Sequence, residues 1–161
     1  MKVLIIRFSS IGDIILTTPV IRGLREQCPG VEIHYLTKEK YRQILEHHPF
    51  IDRLWTIRKD VSERREELQS ERYDHVIDLH ANFRSSRIRG WLDAPATTFR
   101  KLSFQKWLLA TFRWNLLPDE HVVDRYLEAA RVLGVRGDQA GLDYFLGPGD
   151  SVDPQSLPSE F

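Results

Sequence analysis

The stretch Val3-Leu4-Ile5-Ile6 is apolar at every position and rich in β-branched side chains. A strand with one wet face alternates polar and apolar residues. One that is apolar throughout is buried on both faces, and a sheet of such strands needs helices on each side. Similar runs follow at 31–36, 53–57 and 75–79, so that with the first, at 2–8, they recur about every 20 to 30 residues. That spacing leaves room for one helix between strands, and the chain is expected to be α/β, its βαβ units building a parallel sheet flanked by helices.

Between the runs, Ile14, Ile15, Ile21 and Leu24 mark one helix, and Tyr41, Ile44 and Leu45 the next. The segment 61–72 is heavily charged, with Leu68 its main apolar anchor, and reads as a solvated helix face. Further on, Ser103 can cap a helix bearing Phe104, Trp107, Leu108 and Phe112. Asp119 can cap another, in which Val122, Val123, Tyr126, Leu127, Ala130 and Leu133 form one stripe and Gly134 supplies the stop. From Gly147-Pro148-Gly149 onward the composition is that of a linker. The expected organisation is one domain over 1–146 and a linker over 147–161 toward a further domain.

At 161 residues and 42% hydrophobic content the chain can bury a core of its own. Lys plus Arg and Asp plus Glu both number 23, which argues against a dedicated nucleic-acid binder. The charge is uneven, however: residues 81–125 hold eight basic and four acidic side chains, 126–161 two and six. An anionic ligand is therefore sought in the middle of the chain. Cys28 is the only cysteine, so no internal disulfide forms, and it reads as a small buried residue near a helix end rather than a nucleophile. The apolar run 3–6 is too short for a signal peptide and no stretch is long enough to span a bilayer, so a cytoplasmic protein is expected. His47-His48 has no second ligand pair at metal spacing, and no metal site is expected.

The segment Arg7-Phe8-Ser9-Ser10-Ile11-Gly12-Asp13 follows the first strand and precedes the first helix. In open α/β sheets ligands gather at the carboxyl ends of strands, so a reacting group belongs here. Gly12 would let the backbone turn tightly and approach a ligand, while Ser9 and Ser10 offer hydroxyls and loop N–H groups. Neither a Gly-x-Gly-x-x-Gly nor a Gly-Lys-Ser/Thr phosphate loop is present. The loop ends instead in a carboxylate, Asp13, which would repel a phosphate but could take a proton from an alcohol. On the residues alone it could equally be there to favour its helix N-terminus, an effect of about 0.3–1 kcal/mol.

Residues 5–19, Ile5-Ile6-Arg7-Phe8-Ser9-Ser10-Ile11-Gly12-Asp13-Ile14-Ile15-Leu16-Thr17-Thr18-Pro19, resemble the opening of glycosyltransferase family 9, the lipopolysaccharide heptosyltransferases. Residues 73–85 are similar to that family's fourth strand and following loop, and His121-Val122-Val123-Asp124-Arg125-Tyr126 to the start of its late helix. The likeness covers about residues 1–146. It implies the N-terminal, Rossmann-like half of a GT-B glycosyltransferase that binds a lipopolysaccharide inner-core acceptor. ADP-heptose would sit on a second domain, the anomeric centre would invert, and no cofactor or metal would be needed. Asp13 then matches the general base.

Because such acceptors carry phosphates and carboxylates, the strand-end cations Arg58, Lys59, Arg84, Arg100 and Lys101 become candidate contacts, with His80 and Asn82 for sugar hydroxyls. The basic and aromatic stretch 99–114 could lie on an anionic membrane surface, as a peripheral contact at the inner face of the cytoplasmic membrane. Two positions depart from the family pattern: Leu16 stands where several members have His, and His80-Ala81 where Gln-Gly is common. Without the second domain the fragment alone is expected to be inactive. Two other readings remain: a non-catalytic α/β module binding an anionic glycan or partner, and half of a nucleotide-sugar epimerase.

Overall fold

The structure is a computed structural model that describes residues 1–99 and 121–149. Its centre is a five-stranded sheet formed by β1 (Lys2–Ile6), β2 (Glu32–Lys38), β3 (Arg53–Ile57), β4 (His75–Asp78) and β5 (Ala96–Thr98). Every pairing is parallel and the spatial order is β3-β2-β1-β4-β5. The four apolar runs become β1 to β4. In the centre, β1 pairs Ile5 with Tyr35 of β2 on one side and with Ile77 of β4 on the other.

Alternation divides β1 between two cores. Val3 and Ile5 pack with Ile21 and Leu24 of α2 (Thr18–Gln27) and with Tyr126 and Ala129 of α5 (Val122–Ala130). Leu4 and Ile6 pack on the opposite face with Leu68 of α3 (Arg65–Ser70) and Ile88 of α4 (Phe83–Trp91). These four β1 side chains have no exposure, unlike Lys2, each such burial contributing about 1.5–3 kcal/mol.

Several helices differ from the sequence expectation. The first splits into α1 (Ile11–Ile15) and α2, because Pro19 occupies the first turn of α2 and starts a new helix there. The Thr17 hydroxyl donates to the Ile14 carbonyl at 2.6 Å across the break. The segment around Tyr41 is a 3₁₀ helix, Glu39–Ile44. In 61–72 a 3₁₀ turn, Val61–Arg64, precedes α3, and Val61 joins Leu68 as a fully buried anchor. α5 is capped by His121, which accepts from the Val123 N–H at 3.3 Å; Asp119, the expected cap, lies outside the described residues, as do Ser103 and the helix expected after it. Gly134, at φ 86°, closes the 3₁₀ turn Arg131–Leu133 in the left-handed conformation that glycine tolerates best.

Past Gly134 the chain folds back over α2. Gln27 and Arg136 exchange two hydrogen bonds, Nε2 to the Arg136 carbonyl at 2.8 Å and the Arg136 N–H to Oε1 at 3.0 Å. Arg22, 7% exposed, forks onto both oxygens of Asp138 at 2.6 and 2.9 Å, bonds the Gly141 carbonyl at 2.9 Å and pairs with Asp143. Phe145 meets the ring of buried His48 at 4.8 Å. Cys28 caps α2, buried, its thiol 3.4 Å from the Leu133 carbonyl.

Candidate active site

With β1 central, the connection after β1 runs to β2 on one side and the connection after β4 runs to β5 on the other. The loops diverge at this pair of strand ends, the place where open α/β sheets bind ligands. The first loop contributes Ser9, Ser10, Gly12 and Asp13; the second contributes His80, Asn82 and Arg84.

Asp13 is the third residue of α1, and its side chain is 38% exposed. Three donors converge on Oδ2: the Ser10 N–H at 3.1 Å, the Ser10 hydroxyl at 2.9 Å and Arg7 Nη2 at 2.7 Å. Among the described residues Oδ1 has no protein partner. Burial pushes the carboxyl pKa up, but the Ser10 amide and hydroxyl and the Arg7 guanidinium outweigh it and hold the group below its ordinary value. Asp13 is thus a charged, oriented carboxylate with one oxygen available. The Ser9–Ser10 peptide bond is cis, and the Ser9 hydroxyl also lacks a partner among the described residues.

Gly12 departs from expectation. It lies in the first turn of α1 rather than in a tight turn, and a Cβ there would meet nothing within 4 Å. What glycine leaves is open space above the backbone, not a conformation other residues cannot adopt.

At the end of β4, fully buried Asp78 organises the second loop. Its Oδ1 accepts from the His80 and Ala81 N–H groups at 3.0 and 2.8 Å, and its Oδ2 lies 3.1 Å from Arg89 Nε of α4. Ala81 adopts φ 50°, a left-handed conformation that costs a side-chain-bearing residue about 1–2 kcal/mol. The glycine common at this position in the resembling family therefore has a conformational reason. The His80 ring packs edge-on against Phe8, centroids 4.8 Å apart. Asn82 caps α4: its Oδ1 accepts from the Ser85 N–H, and the Ser85 hydroxyl oxygen accepts from the Asn82 N–H, both at 3.0 Å. Its amide NH₂ has no partner among the described residues. Arg84 is exposed in the first turn of α4, and its neighbour Phe83 is 80% exposed.

Arg58 and Lys59 stand apart from this group. They follow β3, two strands from β1 or about 10 Å at normal strand spacing, and are exposed. Their N–H groups bond the Glu63 carboxylate at 2.9 and 2.7 Å. Arg100 and Lys101 lie outside the described residues, as does almost all of 99–114.

Sequence reasoning missed Arg7. It is 8% exposed, its Nε donates to the Ser9 carbonyl at 2.7 Å, its Nη1 donates to the Leu79 carbonyl past β4, and its guanidinium lies 5.6 Å from the Tyr126 ring centroid. A signal was available: a cation between two buried residues, Ile6 and Phe8, needs a counter-charge, and Asp13 is the nearest carboxylate after it in the chain.

The opposite ends of the strands hold a different cluster. Ligand-type atoms of Glu32, His34 and Glu71 lie within 4.8 Å of one another, but the Lys2 ammonium already bridges both glutamates at 3.3 and 2.6 Å. Among the described residues no helix is long and apolar enough to cross a membrane.

An all-parallel sheet in this order, with a carboxylate in place of a glycine-rich phosphate loop at its switch point, has the Rossmann-like half-fold of a GT-B glycosyltransferase. No family model matches the chain. It is 31% identical over 136 residues to lipopolysaccharide heptosyltransferase 1 of Campylobacter coli, covering 79% of this chain and 40% of that protein. Among solved structures it is similar to E. coli heptosyltransferase WaaC with ADP, at TM-score 0.69 and 26% identity over 89% of this chain and 50% of that one. It is also similar to the glycosyl transferase family 9 protein from Veillonella parvula DSM 2008, at TM-score 0.72 and 25% identity over 91% and 46%. By sequence and by fold the chain is similar to members of glycosyltransferase family 9, the lipopolysaccharide heptosyltransferases. It spans about half the length of these relatives or less.

Proposed function

We propose that this chain is the N-terminal, acceptor-binding domain of an inverting glycosyltransferase that moves heptose from ADP-heptose to a lipopolysaccharide inner-core acceptor. Asp13 serves as the general base. As the acceptor hydroxyl attacks the anomeric carbon, its oxygen bonds to that carbon, the bond to the diphosphate breaks and ADP leaves. The hydroxyl proton passes to Asp13 Oδ1. A sugar hydroxyl is a poor nucleophile at neutral pH, and a placed base contributes about 10²–10⁴-fold, or roughly 3–5 kcal/mol of barrier.

The observation that carries this reading is the asymmetry of Asp13 at the switch point: among the described residues, three donors on Oδ2 and none on Oδ1. Its lowered pKa keeps the base ionised at neutral pH, at some cost in proton affinity. Ser9, Ser10 and the open space over Gly12 fit the acceptor's approach, with His80 and the Asn82 amide facing sugar hydroxyls. Arg84, farther out Arg58 and Lys59, and by their charge Arg100 and Lys101, match its anionic groups. On this reading the donor site lies in further sequence, this chain alone transfers no sugar, and the basic, aromatic stretch 99–114 brings a cytoplasmic enzyme to the membrane that carries its acceptor.

The test is Asp13→Asn in a full-length protein carrying this domain. Transfer should fall by at least 10²-fold while ADP-heptose binding stays within about twofold. Turnover near the wild-type rate would remove Asp13 from the mechanism and favour the epimerase or binding-module reading.

A further inference from the structure

Arg7 reaches several parts of the site at once. Its guanidinium reaches the Ser9 carbonyl, the Leu79 carbonyl and Asp13 Oδ2, and it lies against Tyr126 of α5. Its own N–H donates to the Leu36 carbonyl at 3.1 Å, just past the paired residues of β1 and within β2. One buried side chain therefore ties the ends of β1 and β4, the first loop and the late helix to a single oxygen of the base. A planar guanidinium whose Nε and Nη1 are fixed by two carbonyls presents Nη2 in one direction only. The carboxylate that accepts from it, and from Ser10, has its plane fixed as well.

We infer that Arg7 is the positioning residue of this site: it dictates which oxygen of Asp13 remains open to the acceptor. This rests on the proposal that Asp13 is the base, but it can be tested apart from it. The groups facing Asp13 are few. Ser10 and Arg7 touch it, Tyr35 of β2 and Tyr126 of α5 interact with its charge, and Arg125 acts on Tyr126 beside it. Both phenols are pushed up by burial and stay neutral, so among the described residues Arg7 is the cation in direct contact with the carboxylate.

The first test is a carbon-13 NMR titration of the Asp13 carboxyl in this chain. In the wild type the midpoint should lie below the ordinary carboxylate value; in Arg7→Gln it should rise by roughly one unit or more, as expected when an opposite charge in contact is removed. In Arg7→Lys, which restores a cation, it should stay low. An unchanged midpoint in Arg7→Gln, or Gln and Lys variants that behave alike, would overturn the inference. If Arg7→Gln does not fold, the wild type still decides. The Arg7 guanidinium resonances should shift in step with Asp13 and cease to do so in Asp13→Asn; guanidinium signals indifferent to that titration would overturn it equally.

The second test is transfer by the full-length protein. Arg7→Gln should lower kcat on the order of 10–100-fold with acceptor KM little changed, as for a misplaced catalytic group. The acid limb of kcat should move to higher pH, because the base must be ionised and has become easier to protonate. An unmoved limb, in a protein that Asp13→Asn inactivates, refutes the role of Arg7 alone. Transfer surviving Asp13→Asn refutes the base and leaves the titration to judge Arg7.

Discussion

Replacing Arg22 by Met tests how the segment after Gly134 is held. The guanidinium is nearly buried and has three partners on that segment: Asp138 through two bonds, the Gly141 carbonyl and Asp143. Removing one member of a buried ion pair usually costs about 3–5 kcal/mol, because the other charge is left behind. Here the Asp138 and Asp143 side chains keep 29% and 21% exposure and can turn to water, so a loss of about 2–3 kcal/mol is expected. With a urea slope near 2 kcal/mol per molar, the unfolding midpoint should fall by roughly 1–1.5 M at pH 7.

The loss should also depend on pH. Arg22 holds the Asp138 carboxyl far below its ordinary range. A depressed acid adds stability above its unfolded pKa of about 3.9, and this is lost as pH falls through the folded value. The gap between wild type and Arg22→Met should therefore be full at pH 5–7 and begin to narrow below about pH 4. Unfolding curves followed by tryptophan fluorescence at each pH supply the numbers. A gap under 0.5 kcal/mol at pH 7, or one unchanged to pH 3, would refute the clamp.

Two stability predictions concern backbone positions. A Cβ on Gly23 would lie 2.6 Å from Val135 Cγ1, so Gly23→Ala should cost about 1–3 kcal/mol and lower Tm by several degrees on a calorimetric scan. Ala81→Gly should relieve the left-handed backbone and leave stability unchanged or higher by up to about 1 kcal/mol, and a clear loss in urea would contradict the account of that turn.

The sheet was legible because its signal is strong: a run apolar at every position admits few other environments, and β1 to β4 appear where such runs occur. β5 was not, since Ala96-Thr97-Thr98 is three residues long and largely exposed, with no apolar run to announce it. α4 escaped for a related reason. Between Phe83, 80% exposed, and Trp91 only Ser85 and Ile88 are buried, and one buried aliphatic side chain makes no helical stripe. Asp13 stood out in the sequence because it interrupts the logic of a phosphate loop. Arg7 and Asp78 were not singled out, because a charge at the end of an apolar run reads as the point where the strand meets water. Both are in fact buried, and the groups that satisfy them lie across the sheet or after it: the Leu79 carbonyl 72 residues from Arg7, and Arg89 of α4 beside Asp78.

The bridges around Lys2 give the two ends of the strands different freedoms. Lys2 N–H donates to Asp74 at 2.6 Å, its ammonium holds Glu32 and Glu71, and Arg53 pairs with Glu71. Trp55 Nε1 donates to the Tyr73 hydroxyl, which can donate to His34 Nδ1, whose Nε2 reaches Glu32. The starts of β1, β2 and β3 and the approach to β4 are thus laced together at the end remote from Asp13. Register is anchored there, so loops at the other rim can change length and chemistry without unpicking the strands. A lineage could rewrite those loops, and with them what the site accommodates, while the laced margin stayed as it was.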